Sequence, residues 1–221
     1  MSETMRVVLV RLAECEGNVK ELVRRHGKLT DIGRQQALQA RGRIADLDVQ
    51  AWVAADNSAC KETISILSEG ASARTMQEFS EPPYPEWEGL TLAEVQEKWP
   101  TEWESYWNPK AGDAERIIVP GGESLRTTFT RVKLGIDKLF AEFGGRGTVV
   151  VCTHGEIVRL LTVGLLGAPL ENLFRVRGRN TALTIFKYDG SRAMFDVIND
   201  TAHCAAEVMP KDLVDYLGSS Q

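Results

Sequence analysis

Thr148-Val149-Val150-Val151-Cys152-Thr153-His154-Gly155-Glu156-Ile157-Val158-Arg159-Leu160-Leu161 is the stretch on which the fold turns. Residues 148–152 are a short apolar run rich in β-branched side chains, the pattern of a strand buried on both faces. His154 and Gly155 interrupt it, and an apolar helix over 157–166 follows. A strand, a tight polar turn and a helix make half of a parallel α/β unit. In open parallel sheets ligands bind beyond the carboxyl ends of the strands, so the turn at 153–156 is a place for chemistry. The N-terminal stretch repeats the pattern: residues 7–10 (VVLV) are a buried strand that runs into Arg11-Leu12-Ala13-Glu14. A single His after a strand is usually structural. An Arg and a His at the tops of two parallel strands can converge on one anion.

Outward from these two strands the chain alternates strands with helices. Residues 31–45 form a helix with Ile32, Leu38 and Ile44 on one side and Thr30 or Asp31 as its cap. Residues 51–55 (AWVAA) are another buried strand, and 63–67 lie in a helix that stops at Gly70. The strongest helix carries Leu125, Phe129, Val132, Ile136, Leu139, Phe140 and Phe143 at three- and four-residue steps and ends at the glycines of 144–147. Residues 182–188 and 193–198 alternate weakly around Asp189-Gly190, a hairpin turn. Residues 81–122 differ in composition, holding six of the eight prolines and four of the five tryptophans. They read as a lid inserted into one domain, with Thr101 and Glu104 as a capping box for a short helix bearing Trp103 and Trp107. The expected fold is a three-layer α/β/α sandwich on a mostly parallel sheet.

Composition narrows the function. A chain of 221 residues fits one domain of roughly 150 residues with an insertion. Its net charge of -5 and its lack of a basic run argue against nucleic acid as a partner. No apolar run is long enough to span a membrane or to serve as a signal peptide. Cys15, Cys60, Cys152 and Cys204 have no metal-site spacing and read as reduced thiols of a cytoplasmic protein.

Six motifs, in order, resemble the histidine phosphatase superfamily in its phosphoglycerate mutase-like branch. VLVRLAECEGN (8–18) resembles the strand and Arg-His-Gly-Glu turn of that family, closed by Asn18. LTDIGRQQA (29–37) is similar to its LTxxGxxQA helix start, and EPPYPEWEG (81–89) to its ExxxGxWEG lid segment. PGGES (120–124) resembles the loop before its long helix, and VCTHGEIVRLL (151–161) its second histidine motif. Asn180 and the ending Asn199-Asp200-Thr201-Ala202-His203 also fit. The resemblance implies that the first-motif His attacks phosphorus. It also implies that two arginines, the second His and an Asn hold the phosphoryl group, and that a lid Glu protonates the leaving oxygen.

Several positions depart from this pattern. The nucleophile position is Leu12, the next is Ala13, and the second arginine falls at Ala59, with Ala54 and Ala55 where hydroxyls are expected. Arg11, Asn18, Glu81, Glu123, Ser124 and His154 match. Arg25-His26-Gly27 spells the family tripeptide, but it follows Glu21-Leu22-Val23-Arg24 rather than a strand and reads as a loop, away from the nucleophile position. Leucine has no lone pair, so phosphohistidine cannot form at position 12, and losing such a group can cost about a millionfold in rate.

The expected function is therefore a repurposed acid–base enzyme of non-phosphoryl chemistry: isomerisation, dehydration, cyclisation or hydrolysis in specialised metabolism. His154 and Glu81 would be the catalytic pair, and Arg11 with Asn18 the anion anchor. Glu123, Ser124, Leu12 and Ala59 would line the substrate site, the last two in an apolar wall with Ala13, Ala54 and Ala55. The partner would be a partly apolar organic molecule with one acidic or carbonyl group, needing no metal or organic cofactor. The alternatives are a catalytically dead pseudophosphatase that binds or regulates, and a residual phosphatase that uses another nucleophile. The resemblance is compatible with a homodimer.

Overall fold

The computed structural model describes residues 3–24 and 26–209. In chain order the elements are β1 (Met5–Arg11), α1 (Glu16–Val19), α2 (Asp31–Ile44), β2 (Val49–Ala54), α3 (Ser58–Leu67), β3 (Ala73–Thr75), α4 (Leu92–Lys98), α5 (Pro100–Trp107), α6 (Leu125–Glu142), β4 (Thr148–Thr153), α7 (Gly155–Leu165), β5 (Leu183–Tyr188) and β6 (Ala193–Asp200). Six strands form one sheet in the order β3-β2-β4-β1-β5-β6. β1, β2, β3 and β4 run parallel, and β5 and β6 add antiparallel pairs at the other edge. This is the mostly parallel α/β sheet expected from the strand–helix alternation.

β4 is buried along its whole length and β1 at every residue but Arg6. Their apolar runs therefore need no polar face, as residues in the centre of a covered parallel sheet do not. The register pairs Arg6 with Thr148 and Arg11 with Thr153. Both strands thus end at the same level, and Arg11 and His154 emerge side by side at the carboxyl edge.

Helix starts carry the caps that their sequences announce. Thr30 accepts from the Gly33 N–H, Asn57 from Cys60 and Ser124 from Thr127. Gly33 has a second reason to be glycine: a Cβ there would overlap the carbonyl of Glu14, so the first turn of α2 packs directly on the first-motif backbone. The capping box expected at Thr101 and Glu104 lies elsewhere. Thr91 and Glu94 form it at the start of α4, and α5 begins with Pro100 in its first turn, where proline's missing N–H costs nothing. The short edge strand β3 has no sequence signature at all.

The main core packs both sheet faces. It includes Leu12, Ala13, Ala54, Ala55 and Ala59, each at most 2% exposed. This corrects the expected apolar wall: these side chains are core, and Leu12 and Ala59 do not line the cavity described below. A leucine after β1 is retained because it fills space. Leu12→Ala should therefore lower unfolding free energy by about 2–5 kcal/mol, the usual range for emptying a buried leucine site. Chemical denaturation measures it, and a loss under about 1 kcal/mol would place Leu12 outside the core.

Candidate active site

Arg11 reaches over the first residue of α7 and donates to the Gly178 carbonyl. A Cβ at Gly155 would meet the Arg11 side chain at 3.2 Å, which accounts for glycine after His154. His154 caps α7 by position, and its imidazole is 4% exposed. Its Nε2 lies 2.8 Å from Asn57 Nδ2. The Oδ1 of the same amide is committed to the Cys60 N–H at 2.8 Å. Asn57 therefore donates to His154, so Nε2 is bare and the proton of the neutral ring sits on Nδ1.

That Nδ1 faces Glu81 Oε1 at 3.3 Å, an ion-pair distance without the alignment of a hydrogen bond. Glu81 is set by a clamp on the segment before it. The Arg131 guanidinium donates to the carbonyls of Gln77, Glu78 and Ser80, while Glu123 holds Arg131 at 2.7 Å. Glu123 thus works through Arg131. Ser124 is the cap of α6, and neither residue lines the cavity.

The other oxygen of Glu81 meets His26: Nε2 to Oε2 is 2.8 Å, and the His26 ring centroid is 4.7 Å from that of His154. This corrects the reading of the tripeptide. Its His26 and Gly27 do lie in a loop, with Arg25 outside the described residues, yet His26 enters the site with β1 and its turn intact. The loop folds back on α1 through Gly17 N–H to His26 O and Glu16 N–H to Lys28 O, and Ser58 donates to the Gly27 carbonyl. Gly27 takes a left-handed φ of 69° there.

Asn18 Oδ1 accepts from the Cys15 N–H, the Cys15 thiol and Asn180 Nδ2. Cys15 is buried and holds this turn, while Glu14 accepts from Thr30 Oγ1 at 2.7 Å.

Charge in the cluster is asymmetric. Burial opposes a charge on His26, but the Glu81 carboxylate and hydrogen bonds to Cys15 and Glu81 outweigh it and push the pKa up to about 10. Burial would raise Glu81, and the two imidazoles instead hold it well below the carboxylate range. Burial lowers His154, against the pull of Glu81. At neutral pH the arrangement is a cationic His26, an anionic Glu81 and a neutral His154.

His26 and Glu81 line a cavity of about 120 Å³, which His154 does not line. Arg11, Arg24, Arg159 and His26 line it together with Asn18, Glu21 and Glu81. The lid adds Tyr84, Trp87, Trp103, Tyr106 and Trp107 to the lining. Also lining the cavity is Glu156. Tyr84 donates to it, with Oη 2.7 and 2.6 Å from its two oxygens, and burial raises its pKa to about 7. Sequence reasoning did not single out Arg24, Glu156 or Arg159, and it set aside His26, for which the tripeptide itself was the available signal.

His26, Glu81 and His154 are also a potential metal triad, since their donor atoms lie within 4.8 Å of one another. The Asn57 bond works against that use. It places a proton on the His154 nitrogen that a metal would need, and reversing the tautomer would break the cap of α3. No helix among the described residues is long and apolar enough to cross a membrane.

Residues 7–201 match the histidine phosphatase superfamily, branch 1. Phosphoserine phosphatase 1 of Hydrogenobacter thermophilus is 25% identical over 205 residues, covering 90% of this chain and 94% of that one. A 2,3-bisphosphoglycerate-dependent phosphoglycerate mutase of Mesorhizobium japonicum is 29% identical, covering 80% and 87%. Among solved structures, a mycobacterial glucosyl-3-phosphoglycerate phosphatase in complex with VO3 superposes with a TM-score of 0.76 at 25% identity, covering 88% and 98%.

The folded protein keeps a proton on His26 up to about pH 10, whereas a solvated imidazole releases it near 6.5. The stability this contributes is full below pH 6.5 and is lost as pH rises through 10. Thermal unfolding should show that decline between pH 7 and 10 in the wild type, and Glu81→Gln should flatten it. A Glu81→Gln profile parallel to wild type would contradict the pairing.

Proposed function

The chain belongs to the histidine phosphatase superfamily, and we propose that it hydrolyses a small organic phosphomonoester with His26 supplying the imidazole that Leu12 cannot. The observation that carries this reading is the His26–Glu81 contact at 2.8 Å beside His154. Two imidazoles and a carboxylate meet although the strand-end histidine is gone. Three arginines in the lining, Arg11, Arg24 and Arg159, favour a phosphate, and relatives of both kinds named above act on phosphorylated small molecules by their names.

The pair contains one proton between two groups, which is what the reaction needs. Transfer of that proton from His26 Nε2 to Glu81 leaves a neutral imidazole with a lone pair and a carboxylic acid. The imidazole forms the bond to phosphorus, the bond from phosphorus to the leaving oxygen breaks, and Glu81 gives that oxygen its proton. Glu81, again a carboxylate, then takes a proton from the water that hydrolyses the phosphohistidine. The resting proton lies on His26, so the transfer is uphill. Arg11, Arg24 and Arg159 oppose the charge on the phosphoryl oxygens, a stabilisation that matters most where water is excluded. The neutral His154, its proton on Nδ1, stands beside Glu81 with that nitrogen 3.3 Å from Oε1.

A second reading is favoured by the resting ion pair: His26 as proton donor and Glu81 as base are also suited to acid–base chemistry on a non-phosphorylated organic anion. Aryl phosphate assays separate the two. Under the first reading the wild type turns over an aryl phosphate and acid quenching traps a phosphoenzyme. His26→Ala then removes both, with a rate loss of up to about 10⁶. Glu81→Gln lowers kcat by about 10²–10⁴, the usual share of a general acid. Undiminished turnover in His26→Ala would overturn this assignment, and absence of turnover in the wild type would leave the acid–base reading.

A further inference from the structure

The backbone that carries His26 is held from two sides. On one side the carbonyls of His26 and Lys28 accept from the Gly17 and Glu16 N–H groups, and the Thr30 N–H donates to the Glu14 carbonyl. The residues in between turn the other way, as alternate residues of an extended segment do. There the Ser58 hydroxyl donates to the Gly27 carbonyl at 2.9 Å, and the Leu29 N–H donates to Glu62 Oε2 at 3.1 Å. Ser58 and Glu62 are four residues apart and so share one face of α3. Glu62 is itself braced, since Arg34 of α2 donates to its other oxygen at 2.9 Å. A Cβ on Gly27 would run into the Glu16 side chain, so the segment sits tight against the first-motif turn.

The residue before Ser58 ties this anchorage to the site. Asn57 bonds His154 Nε2 at 2.8 Å. Consecutive residues of α3 therefore hold one imidazole directly and the loop of the other, and the two rings stand with centroids 4.7 Å apart. Ser58, Glu62 and Arg34 do not line the cavity. The helix needs neither Ser58 nor Glu62 for its own sake, because its cap is Asn57 and alanine is the best helix former.

We infer that the Ser58–Glu62 face of α3, braced by Arg34, is the device that sets the His26 imidazole against Glu81 and His154. Ser58 and Glu62 are thus positioning residues that touch no substrate. Their effect on turnover rests on the phosphomonoester reading above; the placement of the ring does not.

The chain has three histidines, so carbon-13 labelling of their rings gives a spectrum that His26→Ala and His154→Ala assign. The wild type should show a nuclear Overhauser cross-peak between the rings of His26 and His154. Ser58→Ala combined with Glu62→Ala should lose that cross-peak. It should also lower kcat for an aryl phosphate about tenfold or more, the worth of the two bonds removed, with KM within about twofold. Ser58→Thr with Glu62→Gln keeps a hydroxyl donor and an acceptor oxygen, and should restore the cross-peak and most of kcat. Lys61→Ala removes a surface pairing with Asp56 on the same helix and should match the wild type in both readouts. A double alanine variant that keeps the cross-peak overturns the inference. So does a wild type without one, or a Thr/Gln pair as impaired as the alanines. Loss of the cross-peak with kcat unchanged, or with no turnover by the wild type, leaves the placement standing and defeats the reading of His26 as a phosphatase nucleophile.

Discussion

The parallel pairing of β1 with β4, two strands almost wholly removed from water, sets where every reactive group can stand. Its register runs from Arg6 opposite Thr148 to Arg11 opposite Thr153. Arg11 and His154 emerge together because the two strands end together. α7 follows His154 directly, through a glycine that leaves room for Arg11. The lid segment can then deliver Glu81 to a fixed target, and the Glu123–Arg131 clamp holds the backbone that carries it.

On this frame the site is assembled from pieces far apart in sequence. His26 and Glu81 are separated by 55 residues, and Asn57 and His154 by 97. The cavity draws on both kinds of residue: Arg11, Arg24, Arg159, His26, Glu21 and Glu81 share its lining with aromatic residues of the lid's own hydrophobic cluster. Glu156, with a pKa of about 7, is joined to that cluster through Tyr84.

Most of the architecture was legible in the sequence, for a physical reason. Buried parallel strands and amphipathic helices leave periodic signatures, and β1, β4, α6 and α7 carry them strongly. Arg11, Asn18 and His154 could be found because each sits in a motif attached to such an element, whereas Glu81 lies in the irregular segment after β3 and was found by its motif alone. His26 could not be placed in this way. Its loop has no period, Glu21, Arg24 and Gly27 take left-handed φ values, and its position is fixed by backbone bonds to α1 and by a contact with the lid. Leu12 and Ala59 misled in the opposite sense. Motif position suggested that they face a ligand, whereas burial assigns them to the core. The capping box moved from 101–104 to 91–94 because both tetrads satisfy the local pattern and the path of the chain chose between them.

Asn57 joins two concerns that proteins usually keep apart. As the start of α3 its oxygen could be supplied as well by aspartate or serine, which cap helices about equally. Its nitrogen donates to an imidazole 97 residues away. Aspartate in its place would satisfy the helix and turn that donor into an acceptor. The His154 proton would be drawn to Nε2, leaving a bare nitrogen lone pair facing the oxygens of Glu81. A single amide therefore couples the fraying of a surface helix to the proton inventory of the cavity. Among residues equivalent for folding, only one keeps both ends of that account balanced.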